Sequence, residues 1–167
     1  VYFGSYDPDI RSFKKAKSTL SKKAIDVKKI NSKRYKNVYR GYWFNKKLKI
    51  PFVSAKIALS NDFLSIDYKK KWITNESSRK IVHLIRSRYD CILSTSKTIN
   101  SDNSLLNCRI DGLDEHKPDL FIIDLNLKLK KNLLLNKIIN KRKTYIVTKN
   151  SNLKRTSIYK KIGYKFV

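Results

Sequence analysis

The chain has 167 residues, enough for one domain or for one domain with a piece of another, and its apolar share of 41% can form an ordinary buried core. Lys and Arg total 39 against 13 Asp and Glu, a formal charge of +26 that suggests a polyanionic partner such as nucleic acid. The basic residues are spread evenly, however, and Ile, Asn, Lys and Tyr are abundant together, as an AT-biased coding sequence produces without selection for charge. A nucleic-acid-binding module is therefore the alternative hypothesis.

The sequence also argues against a membrane protein and against a metal-binding protein. No apolar run approaches the roughly 18 residues that span a bilayer, and no secretory signal pattern opens the chain, so a cytoplasmic protein is expected. Cys91 and Cys108 form no CxxC pair, and His83 and His116 are the histidines, so no metal site is predicted. Both cysteines are expected to be small core side chains. The sequence opens and closes on strand-like segments, which predicts a fragment cut at both ends.

The first quarter of the chain predicts short elements. The run Asp7-Pro8-Asp9 predicts a turn, and a helix is expected to carry Phe13, Ala16 and Leu20 on one face. Residues 24–27 alternate as a short strand. From Lys33 an amphipathic helix is predicted. Its aromatic stripe is expected to pack on a core, with a base-stacking platform as the other possibility; the stripe comprises Tyr35, Val38, Tyr39, Tyr42 and Trp43.

A basic connection ending at Pro51 predicts a domain boundary, with one domain over 1–49 and a second over 50–167. Residues 52–60 lack clean alternation, which predicts a strand buried on both faces of a mostly parallel sheet. Lys56 is unusual in such a strand, because a buried lysine must meet an anionic partner or extend its amine to solvent.

The next predicted helix runs from Glu76 to about Tyr89, with Thr74 or Asn75 as its cap. Its buried stripe is expected to include Ile81 and Ile85. Arg79 and Arg86 lie seven positions apart on one flank of that stripe, an arrangement suited to a phosphate but equally to two solvated side chains.

The remaining segments predict an α/β fold, because strands and helices alternate along the chain. Strands are expected at 91–94, 120–124 and 144–148, with a helix around 133–139 and a last strand beginning near Tyr164. Thr98, Asp102 and Arg109 follow the 91–94 strand, at the carboxyl edge where open α/β sheets bind ligands.

Four motifs follow one another along the chain. They are a K-x-A-x-S strand over 56–60 followed by Asp62, a W-I-T helix start at 72–74, an arginine-rich helix with Arg79 and 86–90, and a T-x-x-x-D-[DN]-x-x-L-x-x-R block over 98–109. In kind, order and spacing they resemble the motifs of the reductase half of the bifunctional riboflavin-biosynthesis deaminase/reductase family. Upstream, Asp7-Pro8 and the segment 40–44 resemble the end of the family's deaminase domain.

The resemblance implies a dihydrofolate-reductase-like fold, with a mixed, mostly parallel sheet flanked by helices and incomplete at its C-terminus. It implies reduction of the ribose of 5-amino-6-(5-phosphoribosylamino)uracil to ribityl, with NADPH as the hydride donor. By motif position, the implied cofactor contacts are Ala58, Trp72, Thr98 and Asp102, and the implied substrate contacts are Arg86, Leu106 and Arg109. Lys56 is assigned a polarising role near the sugar, and Asp102 is a second catalytic candidate. Arg79 is expected to support its helix.

Several residues depart from the family pattern. Phe63 stands where the family has Gly, Lys70 where it has Ser, and Leu125 where it often has Ser. The family's glycine-rich cofactor segment and the deaminase zinc signature are absent, so zinc is expected only with the missing deaminase part. The resemblance also suggests a homodimer. A stand-alone reductase with the deaminase remnant as an interaction arm is a further hypothesis.

Overall fold

The computed structural model describes residues 1–31, 37–65, 72–113 and 118–167. The chain divides into two compact units, Val1–Ile57 and Ala58–Val167. The predicted assignment of 1–49 to a deaminase remnant and 50–167 to a reductase domain stays a prediction.

The first unit contains a two-stranded parallel sheet and short helices. Its elements are β1 Tyr2–Phe3, α1 Lys15–Lys22, β2 Lys28–Lys29, α2 Arg40–Trp43 and a π-helical turn over Phe44–Leu48. Two predicted bounds are wrong, and the backbone gives the reason. Lys14 has a φ of 57°, so α1 starts after it and excludes Phe13, and Ala24 has a φ of 58°, which no strand accommodates. The predicted strand at 24–27 therefore moves to residues 28–29.

The predicted Asp7-Pro8-Asp9 turn is confirmed. The Asp7 carboxylate accepts hydrogen bonds from the Asp9 amide at 2.9 Å, the Ser12 hydroxyl at 2.6 Å and the Tyr42 hydroxyl at 2.8 Å. The bond from Ser12, followed by the others, lowers the pKa of Asp7. The carboxylate thereby ties α2 to the turn.

The aromatic stripe is not packed in a core, contrary to expectation. Tyr39 is 54% exposed, and Lys46 and Lys47 lie 5.8 Å and 5.5 Å from the ring centroids of Tyr42 and Trp43. These rings lie beneath lysine ammonium groups at the surface. Lys33 and Tyr35 fall outside the described residues.

The second unit is built on a four-stranded sheet in the order β3–β4–β5–β6, and every pairing in it is parallel, as predicted. This confirms the α/β class. Its strands are β3 Cys91–Thr95, β4 Asp119–Ile123, β5 Thr144–Val147 and β6 Lys165–Phe166. Its helices are α3 Glu76–Arg86, α4 Ser96–Asp102, α5 Ser157–Ile162, and 3-10 helices over Leu134–Lys141 and Asn150–Arg155.

The core covers one face of this sheet. It contains the following buried side chains: Ile99, Leu120, Ile122, Leu127, Leu129, Leu133, Leu135, Ile139, Ile146, Tyr159 and Tyr164. On the other face, Leu93, Phe121 and Tyr145 lie in register; Leu93 is 65% exposed, and the two rings stack with centroids 4.6 Å apart. The strand predicted at 91–94 is therefore confirmed, but it is buried on one face only. Cys108 is a core side chain, whereas Cys91 is exposed.

The segment 52–60 is not a strand. Among the described residues it has no strand partner, and Val53 and Ile57 are 80% and 69% exposed. Extended backbone needs a neighbouring strand to satisfy its amides and carbonyls, and the four-stranded sheet pairs none of its described strands with this segment. Lys56 is exposed, which agrees with the alternative that its amine extends to solvent.

Helix α3 also buries less than its pattern predicts, since Ile81 and Ile85 remain 58% and 41% exposed. Within the described ranges, no helix has the length and apolar character that crossing a membrane requires.

Candidate functional site

Helix α3 places two basic side chains on one face. It begins at Glu76, as predicted, because Asn75 Oδ1 accepts the Ser78 amide at 2.8 Å and caps the first turn. It ends at Arg86, three residues short of the predicted end. His83 and Arg86 are three positions apart, so both project from the same side of the last turn.

The loop 103–109 receives those side chains. Asn103 and Leu106 both have left-handed backbone, with φ of 47° and 49°. The Asn107 carbonyl accepts a hydrogen bond from Arg86 Nη1 at 3.2 Å and lies 3.0 Å from His83 Nδ1. Cys108 is buried, while Arg109 is exposed. The loop is thus anchored by its backbone and by Cys108, while the Arg109 side chain reaches the surface.

A third arginine, which lies just before β5, holds the same loop. Arg142, which directly precedes Lys143 and β5, donates from Nη1 to the Leu106 carbonyl at 2.8 Å and from Nη2 to the Leu105 carbonyl. Three successive carbonyls, of residues 105, 106 and 107, therefore face cationic or imidazole donors.

Burial and mutual repulsion act on these cations. Burial, and then the charge of Arg109, lowers the pKa of Arg86. Burial, followed by the charge of Arg86, lowers the pKa of Arg142 to about 10, so Arg142 remains charged at neutral pH. Within the described residues, neither Arg86 nor Arg109 forms a salt bridge. Partly desolvated guanidinium groups that repel one another favour a bound anion, and their fork geometry suits phosphate oxygens.

His83 is held as a neutral acceptor in this cluster. Its Nε2 lies 3.4 Å from Arg109 Nη2, and a guanidinium can only donate, so Nε2 accepts and Nδ1 carries the proton shared with the Asn107 carbonyl. Burial, followed by the charge of Arg86, lowers the pKa of His83. The imidazole therefore orients Arg109 without adding a charge.

The cofactor candidates Thr98 and Asp102 lie one turn apart on α4. Thr95 caps this helix by accepting the Thr98 amide at 3.2 Å, and both candidates are exposed. Asp124 fixes the start of α4 from β4, since its carboxylate accepts the hydroxyl of Ser96 at 3.0 Å. The same carboxylate accepts the amides of Lys128 and Leu129, so it also shapes the following loop.

The remaining candidates take no part in the hydrogen bonds described for the arginine cluster. Trp72 is 56% exposed and packs under the Arg79 guanidinium at 4.8 Å, while Arg79 also donates to the Thr74 carbonyl at 2.7 Å. Arg79 therefore supports the segment that leads into α3. Ala58 is half-buried, and Lys56 belongs to the first unit.

The departures from the family pattern have different structural outcomes. Phe63 has a φ of 62° in the turn that the Ser60 amide closes on the Leu64 carbonyl, which explains why Gly suits this position. Leu125 is 47% exposed, and its carbonyl accepts from Asn152. Lys70 lies outside the described residues.

A separate groove of about 390 Å³ lies in the first unit. Asp9 lines it and is already paired with Arg11 at 2.6 Å and Lys46 at 3.1 Å, and no predicted site residue borders it. Within the described ranges, no group of three or more His, Cys, Asp or Glu could hold a metal ion.

The structure thus unites the predicted substrate residues Arg86, Leu106 and Arg109 around one loop, and it adds two residues that sequence reasoning missed. The i, i+3 spacing of His83 and Arg86 was the signal for His83. Arg142 carried no signal, because it stands in the basic run Lys141-Arg142-Lys143 and nothing in the sequence distinguishes it from its neighbours.

Comparison with known protein families shows which family the chain belongs to. The model of the RibD C-terminal domain matches residues 51–162. The chain belongs to the RibD C-terminal domain family. The match covers all of the predicted site residues, from Lys56 to Arg109, and Arg142 as well.

The chain is similar to curated proteins that are named for riboflavin biosynthesis. The chain is 25% identical over 166 residues to the riboflavin biosynthesis protein RibD of Actinobacillus pleuropneumoniae, covering 98% of this chain and 44% of that protein. It is 45% identical over 51 residues to the 5-amino-6-(5-phosphoribosylamino)uracil reductase of Buchnera aphidicola subsp. Acyrthosiphon pisum, covering 30% of this chain and 25% of that protein. The chain spans less than half the length of the curated relatives it matches.

Solved structures share the fold. The Acinetobacter baumannii RibD superposes with a TM-score of 0.76 at 19% identity, over 100% of this chain and 47% of that one. The deaminase/reductase of Thermotoga maritima superposes with a TM-score of 0.74 at 20% identity, over 99% of this chain and 52% of that one. The dihydrofolate-reductase-like α/β fold expected from the motifs is confirmed by these neighbours.

Proposed function

We propose that this RibD C-terminal domain reduces the ribose of 5-amino-6-(5-phosphoribosylamino)uracil to the ribityl product in riboflavin biosynthesis. The observation that carries the proposal is the cluster of Arg86 and Arg109 over loop 103–109, with His83 orienting Arg109. A substrate that carries a phosphate supplies the anion this cluster lacks. Similarity to the Buchnera 5-amino-6-(5-phosphoribosylamino)uracil reductase supports the same substrate.

NADPH is the proposed hydride donor, and the residues present are suited to hold it. Thr98 and Asp102 are exposed polar side chains one turn apart on α4, and they can bond the hydroxyls of a nucleotide. The exposed Trp72 ring and the half-buried Ala58 complete the proposed contacts. When bound, the cofactor supplies the hydride chemistry.

The chain's own residues bind and orient the reactants. Arg86 and Arg109 would hold the substrate phosphate, and Leu106 would pack against the substrate. Lys56 remains the proposed polarising group at the sugar, and Asp102 a second catalytic candidate. Holding two reactants in attack geometry accounts for much of the rate in such transfers.

The wider assignments are also proposals. Residues 1–49 would be the end of a deaminase domain, a homodimer would be the assembled form, and the cytoplasm would be its location. The deaminase assignment is supported by the deaminase/reductase name of the Thermotoga neighbour and by the greater length of the RibD relatives. The homodimer rests on the family resemblance of the motifs, and the location rests on the sequence pattern.

The test is steady-state kinetics with the full-length protein, following NADPH consumption with the phosphoribosylaminouracil substrate. Thr98→Ala and Asp102→Ala should raise the KM for NADPH, each by about tenfold, the effect of losing one good hydrogen bond. Ser101→Ala, on the exposed part of the same helix, should leave it unchanged. Absence of NADPH consumption by the wild-type protein would refute the proposed reaction.

A further inference from the structure

We infer that Arg142 is a positioning residue for substrate binding, which holds loop 103–109 in the shape that presents Leu106 and Arg109. The inference rests on the proposed function, because it assigns the loop to the phosphorylated substrate. Arg142 itself would contact the loop and not the ligand. Its side chain is only 8% exposed.

The contacts of Arg142 are directed at backbone. Nη1 donates to the Leu106 carbonyl at 2.8 Å and lies 3.4 Å from the Pro118 carbonyl, and Nη2 donates to the Leu105 carbonyl. One guanidinium thus joins the loop to the residue before β4. A planar group with several fixed donors can do this, whereas a lysine ammonium cannot match the spacing of three carbonyls.

The loop needs such a restraint. Leu106 has a φ of 49°, a backbone conformation that costs a leucine roughly 1–2 kcal/mol and persists only where surrounding contacts enforce it. Arg142 donates to the carbonyls of Leu105 and Leu106. These two carbonyls flank the φ torsion of Leu106, so the guanidinium restrains it from both sides. Loss of Arg142 would release Leu106 toward ordinary backbone.

Arg109 follows this turn by three residues, and Arg86 holds the carbonyl of Asn107 between them. A change of the backbone at Leu106 would therefore displace Asn107 from Arg86 and the Arg109 side chain from His83. Arg86 and Arg142 hold adjacent carbonyls of the loop, those of Asn107 and Leu106, so both guanidinium groups restrain the same stretch of backbone. The substrate residues and the positioning residue form one connected unit.

The experiment compares Arg142→Lys with Arg155→Lys in the full-length protein, since Arg155 is an exposed arginine of the same unit. Arg142→Lys should raise the KM for the phosphorylated substrate about tenfold, with the KM for NADPH and kcat within about twofold of wild type. Arg155→Lys should match wild type. An unchanged substrate KM in folded Arg142→Lys, or an equal rise in both KM values, overturns the inference.

Two further measurements separate positioning from general damage. Combined with Arg109→Met, Arg142→Lys should raise the substrate KM by a smaller factor than it does alone, because part of its effect passes through Arg109; full additivity contradicts this. Amide exchange should accelerate at residues 103–109 in Arg142→Lys while the core strand β4 keeps its protection. If the wild type shows no turnover, the proposed reaction fails, and unchanged exchange at 103–109 would separately remove the positioning role.

Discussion

Arg86 and Arg142 hold adjacent carbonyl groups of one loop. Arg86 donates to the Asn107 oxygen at 3.2 Å, and Arg142 donates to the Leu106 oxygen at 2.8 Å. The arginines come from α3 and from the residue preceding Lys143 and β5, so two distant parts of the second unit meet at the loop that carries Arg109. The cationic cluster consequently connects these two segments through the loop, in addition to its proposed role in binding the substrate phosphate.

Removing Arg109 and removing Arg86 should have different consequences. Arg109→Met should raise the KM for the phosphorylated substrate at least tenfold with little loss of stability, because Arg109 is exposed and contacts only the His83 imidazole among the hydrogen bonds described for it. Arg86→Met should weaken binding and also destabilise the fold by about 1.5–3 kcal/mol, because it loses a charged hydrogen bond to a carbonyl. Substrate kinetics and thermal unfolding measure the two effects, and equal unfolding temperatures for both variants would contradict the assignment.

His83 should make stability depend on pH. Burial and the charge of Arg86 keep its pKa in the folded protein below the ordinary value of 6.5, so the unfolded chain binds the extra proton between those two values. Stability should therefore be fully present above about pH 6.5 and fall as the pH drops below it. Thermal unfolding between pH 7.5 and 5.5 checks this, as an order-of-magnitude window around the histidine pKa.

The matched variant for that measurement is His83→Gln, which has no titrating group and can still bond the Asn107 carbonyl. Its unfolding temperature should fall less over the same pH interval than that of wild type. A slope equal to wild type would assign the acid sensitivity to other groups.

Phe63→Gly should stabilise the protein. Phe63 has a φ of 62° and is 80% exposed, so its side chain contributes strain and little packing. Glycine removes a cost of roughly 1–2 kcal/mol but adds entropy to the unfolded chain, leaving a gain of about 0.5–1 kcal/mol. Denaturant unfolding measures it. Phe63→Ala keeps the Cβ and should show no gain; an equal gain in both variants would point to lost ring exposure instead.

Asn75→Ala should shift stability through α3. Its side chain caps the helix by accepting the Ser78 amide at 2.8 Å, and loss of such a cap costs about 1 kcal/mol. Asn75→Asp preserves the acceptor and should stay close to wild type. Thermal unfolding measures the stability of both variants. Because α3 carries His83 and Arg86, Asn75→Ala should also raise the substrate KM modestly. Equal stability of the two variants would argue against the cap.

Local sequence determined the elements whose causes are local. The cap at Asn75 and the apolar period fixed the start of α3, and the alternation of strands and helices predicted a parallel sheet that the structure confirms. Ordered motifs also predicted which family the chain belongs to, because such residues must keep fixed spacing to meet one ligand. The left-handed backbone of Lys14 and Ala24 was not predicted, because neither residue type indicates a positive φ. At position 63 the family's Gly was the signal for the left-handed backbone that Phe63 adopts.

Tertiary structure alone decided the environment of each side chain. The pattern of 52–60 predicted a buried strand, but a strand requires a partner, and no sequence window states whether a partner is present. Arg142 stands among lysines in the sequence, yet burial against the carbonyls of 105 and 106 makes it the joint of the arginine cluster. The sequence by itself therefore supplied Arg86, Leu106 and Arg109 as candidates, while only the folded chain joined them through His83 and Arg142, because long-range hydrogen bonds depend on which segments the sheet brings together.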